Sequence, residues 1–195
     1  TATHQITYPF LFVGSVNGYK RQLYYTPQNF ARTAEVVELA KIAGEKGGYY
    51  DTHLRDESSY NIGLIGAVNE AIDIGTQSGT AVHISHIKAL GPAVWGQSSQ
   101  IIALINSGRE KGQEITADQY PCAASGTRIS NALVPRWALA GGLAGLLERF
   151  DKAETFARTK REMDANLESP GGADKVPIPV CMCVPADEVC QALTA

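Results

Sequence analysis

The sequence of 195 residues is 44% hydrophobic and 19% charged with a net charge of −3, ordinary values for one well-buried globular domain. No basic patch stands out, which argues against nucleic acid as a partner, and no apolar run approaches the roughly 20 residues of a membrane span. The first residues, Thr1-Ala-Thr-His-Gln5, lack the basic-then-apolar layout of a signal peptide and lack a methionine, so a fragment or a processed product is expected.

Residues 1–20 resist assignment, because the apolar stretch from Ile6 to Val16 is broken by Gly14. Arg21 to Thr26 reads as a strand stopped by Pro27, and Thr26-Pro27 reads as a helix start with Thr as N-cap and Pro in the first position. That helix is predicted to run to about Glu45, with Phe30, Val37, Leu39, Ala40 and Ala43 on its apolar stripe. Gly47-Gly48 ends it. A strand Tyr49–Leu54 follows, then a polar loop and a second helix over about Ile62–Gln77, buried through Leu64, Ile65, Val68 and Ile72 and stopped by Gly79. Strand Thr80–Ile87 leads to a Gly91-Pro92 loop, which Trp95 is expected to pack down. A third helix, about Ser98–Glu110, is expected to bury Ile101, Ile102, Leu104 and Ile105 before strand Glu114–Gln119. Beyond Pro121 the pattern fades, apart from helical stretches at Leu143–Phe150 and Glu154–Leu167.

The strand ends His53, His86 and Asp118 lie 33 and 32 residues apart, the length of one βα unit. Such a run requires a parallel sheet covered by helices. No Gly-x-Gly-x-x-Gly follows any strand, which disfavours a dinucleotide-binding sheet. A closed (β/α)₈ barrel takes about 250 residues, so the chain is read as part of a barrel. In that fold, functional side chains gather at the carboxyl ends of the strands.

Period-two alternation puts Asp51, His53 and Arg55 on one face, and Ile84, His86 and Lys88 on one face of the next strand. Two imidazoles at matching strand ends suit zinc, which in catalytic sites keeps three protein ligands and a water. Lys88 and Arg55 beside them suit an anionic substrate group, and Tyr120 can donate a hydrogen bond to it. His83 falls on the opposite face from His86, where a structural role is expected. Asp118 reads equally well as a site residue or as a strand-end carboxylate bonding backbone amides. Arg55 with Asp56 and Glu57 reads equally as a solvated charge cluster. Of the cysteines, Cys122, Cys181, Cys183 and Cys190, the last three crowd into the final fifteen residues. A disulfide framework would be spread out, so a reducing, cytoplasmic setting is expected.

Four ordered motifs carry a resemblance: Tyr50-Asp-Thr-His-Leu-Arg-Asp-Glu57, Ile84-Ser-His-Ile-Lys-Ala-Leu-Gly91, Trp95-Gly96 and Ala117-Asp-Gln-Tyr-Pro121. Together with Leu23-Tyr-Tyr-Thr-Pro27 they resemble the N-acyl-D-amino-acid deacylases of the metal-dependent amidohydrolase superfamily. The resemblance spans about residues 21–175 and leaves 1–20 and 176–195 unassigned. It implies a (β/α)₈ barrel of which the chain holds about strands four to seven. It implies Zn²⁺ as cofactor, with His53 and His86 as ligands. Lys88, Tyr120 and Arg55 then hold the substrate, and Tyr24 and Tyr25 line its side-chain pocket. The substrate implied is a small N-acyl-D-amino acid, hydrolysed at its amide. The family's first-strand His-x-His, its cysteine ligand and its general-base aspartate have no counterparts here, so that base is expected outside this chain. An open part-barrel is expected to self-associate through its strand edges. Two rival readings stay open: another amidohydrolase acting on cyclic amides, such as a hydantoinase or dihydroorotase, and a catalytically inactive fragment.

Overall fold

The computed structural model describes residues 18–119 and 126–168. Four strands, β1 (Gly18–Gln22), β2 (Tyr49–His53), β3 (Val82–Ile87) and β4 (Ile115–Gln119), form one sheet in the order β1-β2-β3-β4. Every neighbouring pair is parallel. Between the strands run α1 (Thr33–Glu45), α2 (Gly63–Ser78) and α3 (Ser98–Glu110), with α1 packed on α2 and α2 on α3. The strand order follows the chain without a reversal, as repeated βα units of one hand require. Among the described residues no helix is long and apolar enough to cross a membrane.

The core lies between sheet and helices. Tyr50, Val82, Ile84 and Ile115 come from the strands, and Val36, Ala40, Leu64, Val68 and Ile74 from the helices. Small residues set the spacing: a Cβ on Gly75 would run into the Val82 side chain and the Gln113 amide, so α2 lies on β3 only because that position is bare. Gly79 closes α2 with φ of 65°, the left-handed cap expected there.

Several details depart from the sequence reading. Of the strand expected over Arg21–Thr26, only Arg21 and Gln22 belong to β1, which ends at Gln22 because the chain turns at once and Tyr25 N–H donates to the Gln22 carbonyl at 3.1 Å. The helix expected from Pro27 begins only at Thr33. Gln28–Phe30 make a short 3₁₀ turn, and Ala31 and Arg32 are extended with ψ of 133° and 148°. The turn's Asn29 carbonyl is held by Arg55, and the Thr33 hydroxyl donates to Glu70, so tertiary bonds set the restart. Phe30 and Ile102 are exposed rather than core, while Ile65, Ile72 and Leu104 are only partly buried. Trp95 is 65% exposed, and Val94 beside it packs the loop instead.

After residue 126 come the short α4 (Ile129–Ala132), a 3₁₀ turn Arg136–Leu139, α5 (Gly142–Phe150) and α6 (Ala153–Glu168). They enclose a second, smaller core of Val134, Ala138 and Leu139, with Trp137, Leu146 and Met163 against it. Thr159 hydrogen-bonds back to the Thr155 carbonyl inside α6.

Candidate metal centre

The site begins where β2 ends. His53 is 3% exposed, and its imidazole lies among three rings. Tyr24 stacks on it at 5.1 Å and 30°, Tyr25 meets it edge-on at 4.9 Å, and His86 meets it edge-on at 4.5 Å. Just after β2 the chain is knotted by Asp56. Its carboxylate accepts from the backbone N–H groups of Ser58 at 2.9 Å, Asn61 at 2.6 Å and Gly63 at 3.0 Å. A short polar side chain that bonds the backbone a few residues on holds such turns together, and this one fixes the neighbouring Glu57. Glu57 is 1% exposed, and its backbone carbonyl accepts from Leu90 N–H, tying the loop to the segment after β3.

His86 arrives by a break in the ladder. Ile84 pairs with Ala117 but Ile87 pairs with Gln119, so β3 carries one extra residue there. His86 takes a φ of 41°, the left-handed region, and its N–H donates to the Asp118 carboxylate. Bulges re-aim side chains in this way. Strict alternation would keep Ile84 and His86 on one face; instead Ile84 enters the core while the His86 ring meets His53. The imidazole of His83 contacts the Thr116 hydroxyl at 2.8 Å and Asp118 at 3.2 Å. Asp118 thus bonds a backbone amide and a histidine. The bond from His86 N–H is the chief cause that holds its carboxyl below the usual range.

Glu57 Oε1 is the hub. It lies 3.0 Å from His53 Nε2 and 3.9 Å from His86 Nδ1, and it accepts from Lys88 Nζ at 2.5 Å. Lys88 also donates to the His86 carbonyl at 3.1 Å, with its Nζ 3.0 Å from His86 Nδ1. One ligand atom each from His53, Glu57 and His86 falls within 4.8 Å of the others. Among the described residues His53 Nε2 is buried without a hydrogen bond, with Glu57 Oε1 3.0 Å away. Burial, then the charges of Lys88 and His53, lower the pKa of His86 and favour the neutral, ligating imidazole. Two imidazoles and a carboxylate with an orphaned nitrogen between them fit a divalent zinc ion.

The other residues singled out from the sequence divide. Tyr24 and Tyr25 are at the centre, and burial raises the Tyr24 hydroxyl well above its ordinary pKa against the opposing effect of Arg136. Arg55 is drawn elsewhere: its Nε and Nη2 reach both Glu70 oxygens at 2.8 Å and its Nη1 the Asn29 carbonyl at 2.9 Å. The structure does not bring it to the histidine pair, because two positions past the end of β2 strand alternation no longer directs a side chain. Tyr120 lies outside the described residues, as do all four cysteines. Glu57 is the residue that sequence reasoning missed, its burial being set by the Asp56 turn. Its one signal, a carboxylate four residues after His53, does not separate it from a solvated cluster.

No family model matches the chain. Among curated proteins it is 34% identical over 110 residues to N-acyl-D-glutamate deacylase of Alcaligenes xylosoxydans xylosoxydans and 32% identical over 106 residues to D-aminoacylase of the same organism. The alignments cover 56% and 54% of this chain but 22% and 21% of those proteins, so the chain spans about a fifth of the length of the curated relatives it matches. A solved structure, N-acyl-D-glutamate deacylase from Bordetella bronchiseptica complexed with zinc and a phosphonate mimic of the tetrahedral intermediate, matches with a TM-score of 0.54 at 27% identity. That match covers 76% of this chain and 36% of the other. The similarity to the N-acyl-D-amino-acid deacylases, first read from short motifs, thus extends over more than half of the chain.

Proposed function

We propose that the chain is the strand-four-to-seven segment of a (β/α)₈ amidohydrolase that hydrolyses N-acyl-D-amino acids to a carboxylate and a D-amino acid. The observation carrying this reading is the convergence of His53, Glu57 and His86 at the carboxyl ends of two neighbouring parallel strands, where barrel enzymes keep their chemistry. The sequential parallel sheet and the zinc-bearing relative add support.

In this reading His53 and His86 hold the zinc, with Glu57 as the nearby carboxylate. Bound there, zinc supplies Lewis acidity, polarising the amide carbonyl and acidifying a water. Tyr24 and Tyr25 pack His53 from two sides, which fixes its ring plane and excludes solvent from the ligating edge. Lys88 places an ammonium beside the centre, suited to the substrate carboxylate, with Glu57 anchoring it until a ligand anion competes. Tyr120 completes that anion site by its position in the Asp118-Gln-Tyr-Pro121 motif. The general base is expected from an aspartate outside these residues, since the family places it on the last barrel strand. Arg55, bound to Glu70, braces the exit of β2 in this scheme.

Zinc per chain, measured by elemental analysis after gel filtration, tests the reading. Near-stoichiometric metal that falls at least ten-fold in both His53→Ala and His86→Ala is the expected result, with N-acetyl-D-amino acids assayed on the loaded chain. Metal content indifferent to both substitutions would remove the site.

A further inference from the structure

Among the described residues neither strand pairing includes Ser85 or His86. β2 follows β3 only as far as Ile84, and β4 pairs with Ile84 and then again with Ile87. The ladder therefore leaves the His86 backbone to side chains. The Asp118 carboxylate accepts from its N–H, and Lys88 Nζ donates to its carbonyl at 3.1 Å. Asp118 stands between Ala117 and Gln119, the two β4 residues that flank the break. One residue of β4 thus faces two of β3, the count that defines a bulge.

The bulge is gripped from both neighbouring strands. On the β2 side the buried Ser85 hydroxyl donates to Asp51 Oδ1 at 2.5 Å. On the β4 side one Asp118 oxygen takes the His86 amide and the other meets His83 Nε2 at 3.2 Å. His83 is itself steadied by the Thr116 hydroxyl, 2.8 Å from its Nδ1. These bonds surround a histidine at φ of 41°, a left-handed conformation that L residues keep only where the surroundings hold them in it. The ring aimed by that conformation lies 4.5 Å from the His53 ring, with Nδ1 3.9 Å from Glu57 Oε1.

Resting on the deacylase reading, we propose that Asp118 is a positioning residue of the metal centre, acting through His86. β4 supplies no ligand atom to the cluster of His53, Glu57 and His86. Its Asp118 carboxylate, braced by His83, instead fixes the backbone turn that points the His86 imidazole at His53. Metal affinity at the end of β3 is thus set from the next strand. Partners that orient a metal ligand change affinity by about 10–100-fold when they are removed. Here the partner holds the ligand's backbone amide, so the place of the accepting oxygen matters and its charge does not.

Three substitutions in the full chain separate position from charge. Zinc affinity is measured by competition with a chromogenic chelator, with His53→Ala as the baseline. Asp118→Ala removes the acceptor and should weaken zinc at least ten-fold. Asp118→Asn keeps an accepting oxygen at the same reach without the charge, and should stay within three-fold of the unsubstituted chain. Asp118→Glu keeps the charge but carries it one methylene further, and should weaken zinc at least three-fold. The Asn and Glu variants carry the test if the Ala variant does not fold. Unchanged affinity in all three, Asn as weak as Ala, or Glu tighter than Asn would each overturn the assignment. The last two would make Asp118 a source of charge or a ligand. The metal-free chain, labelled at histidine, gives a second readout. A nuclear Overhauser contact between the His53 and His86 rings should persist in the Asn variant and vanish in the Ala and Glu variants. A contact indifferent to all three overturns the proposal. A chain that takes no zinc removes the metal reading, and this contact then decides alone whether Asp118 places His86. Zinc binding in the expected order without hydrolysis of N-acetyl-D-amino acids refutes the deacylase reading alone.

Discussion

Glu57 is buried and held from three sides, by His53, His86 and Lys88. Its carboxylate is buried with the Lys88 ammonium against it and His53 Nε2 at 3.0 Å. Removing one partner of a buried pair leaves the other charge uncompensated, which costs about 3–5 kcal/mol. Glu57→Gln is therefore expected to lower the stability of the metal-free chain by about 3 kcal/mol, read from urea unfolding. Adding Lys88→Met should recover part of the loss, because the stranded cation is then gone; additive losses would contradict the coupling. That His53 and His86 fall at matching ends of neighbouring strands was legible in the sequence from their 33-residue spacing. Glu57 was not, since its burial depends on a turn held by three backbone bonds to Asp56. The register of His86 was also hidden: the bulge needs Asp118, 32 residues on, to catch its N–H.

At the scale of elements, the strands β2 to β4 and helices α2 and α3 were readable to within a residue or two, because glycine stops and apolar periods agree there. The stretch from Gln22 to Arg32 was not. Its conformation follows from the Arg55–Glu70 pair and from Tyr24 packing on His53, contacts made far along the chain. The docking of α6 is a further long-range feature. Trp137 donates to Glu162 while Arg158 lies over the indole at 4.1 Å. At Glu162 the partial burial that raises its pKa is outweighed by the bonds from Trp137 and Arg158, so the net shift is downward. A carboxylate whose folded pKa lies below its unfolded value contributes stability that is full above the unfolded value, near 4.5. That contribution is lost as pH falls through the lower, folded value. Trp137 emission followed in the Trp95→Phe chain should accordingly hold steady above pH 4.5 and change below it. Glu162→Gln should remove that acid-side step, and an unchanged step would assign it to another group.

For the whole molecule, the sheet is the decisive feature. Among the described residues β1 and β4 each pair on one side only, and Thr116, Ala117, Asp118 and Gln119 along β4 are exposed. Parallel strands normally have both faces covered, and an open strand edge is a template for pairing. The isolated chain is therefore expected to form dimers or larger species whose share rises with concentration in light scattering, and a monomer at all concentrations would count against it. The parallel order itself was legible from the 33- and 32-residue spacing of the strand ends.

The placement of the donors within a single strand–helix–strand unit also bears on how the molecule is made. His53, Glu57 and His86 all lie within 34 consecutive residues. At synthesis rates of about 5–20 residues per second, such a stretch is polymerised in about 2–7 seconds. Once it has left the ribosome, β3 can pair with β2 through Tyr50, Asp51 and Thr52 while β4 is still being translated. His86 takes its place beside His53 only when Asp118 of β4 arrives to catch its N–H, so completion of the three-residue cluster reports that β4 has docked.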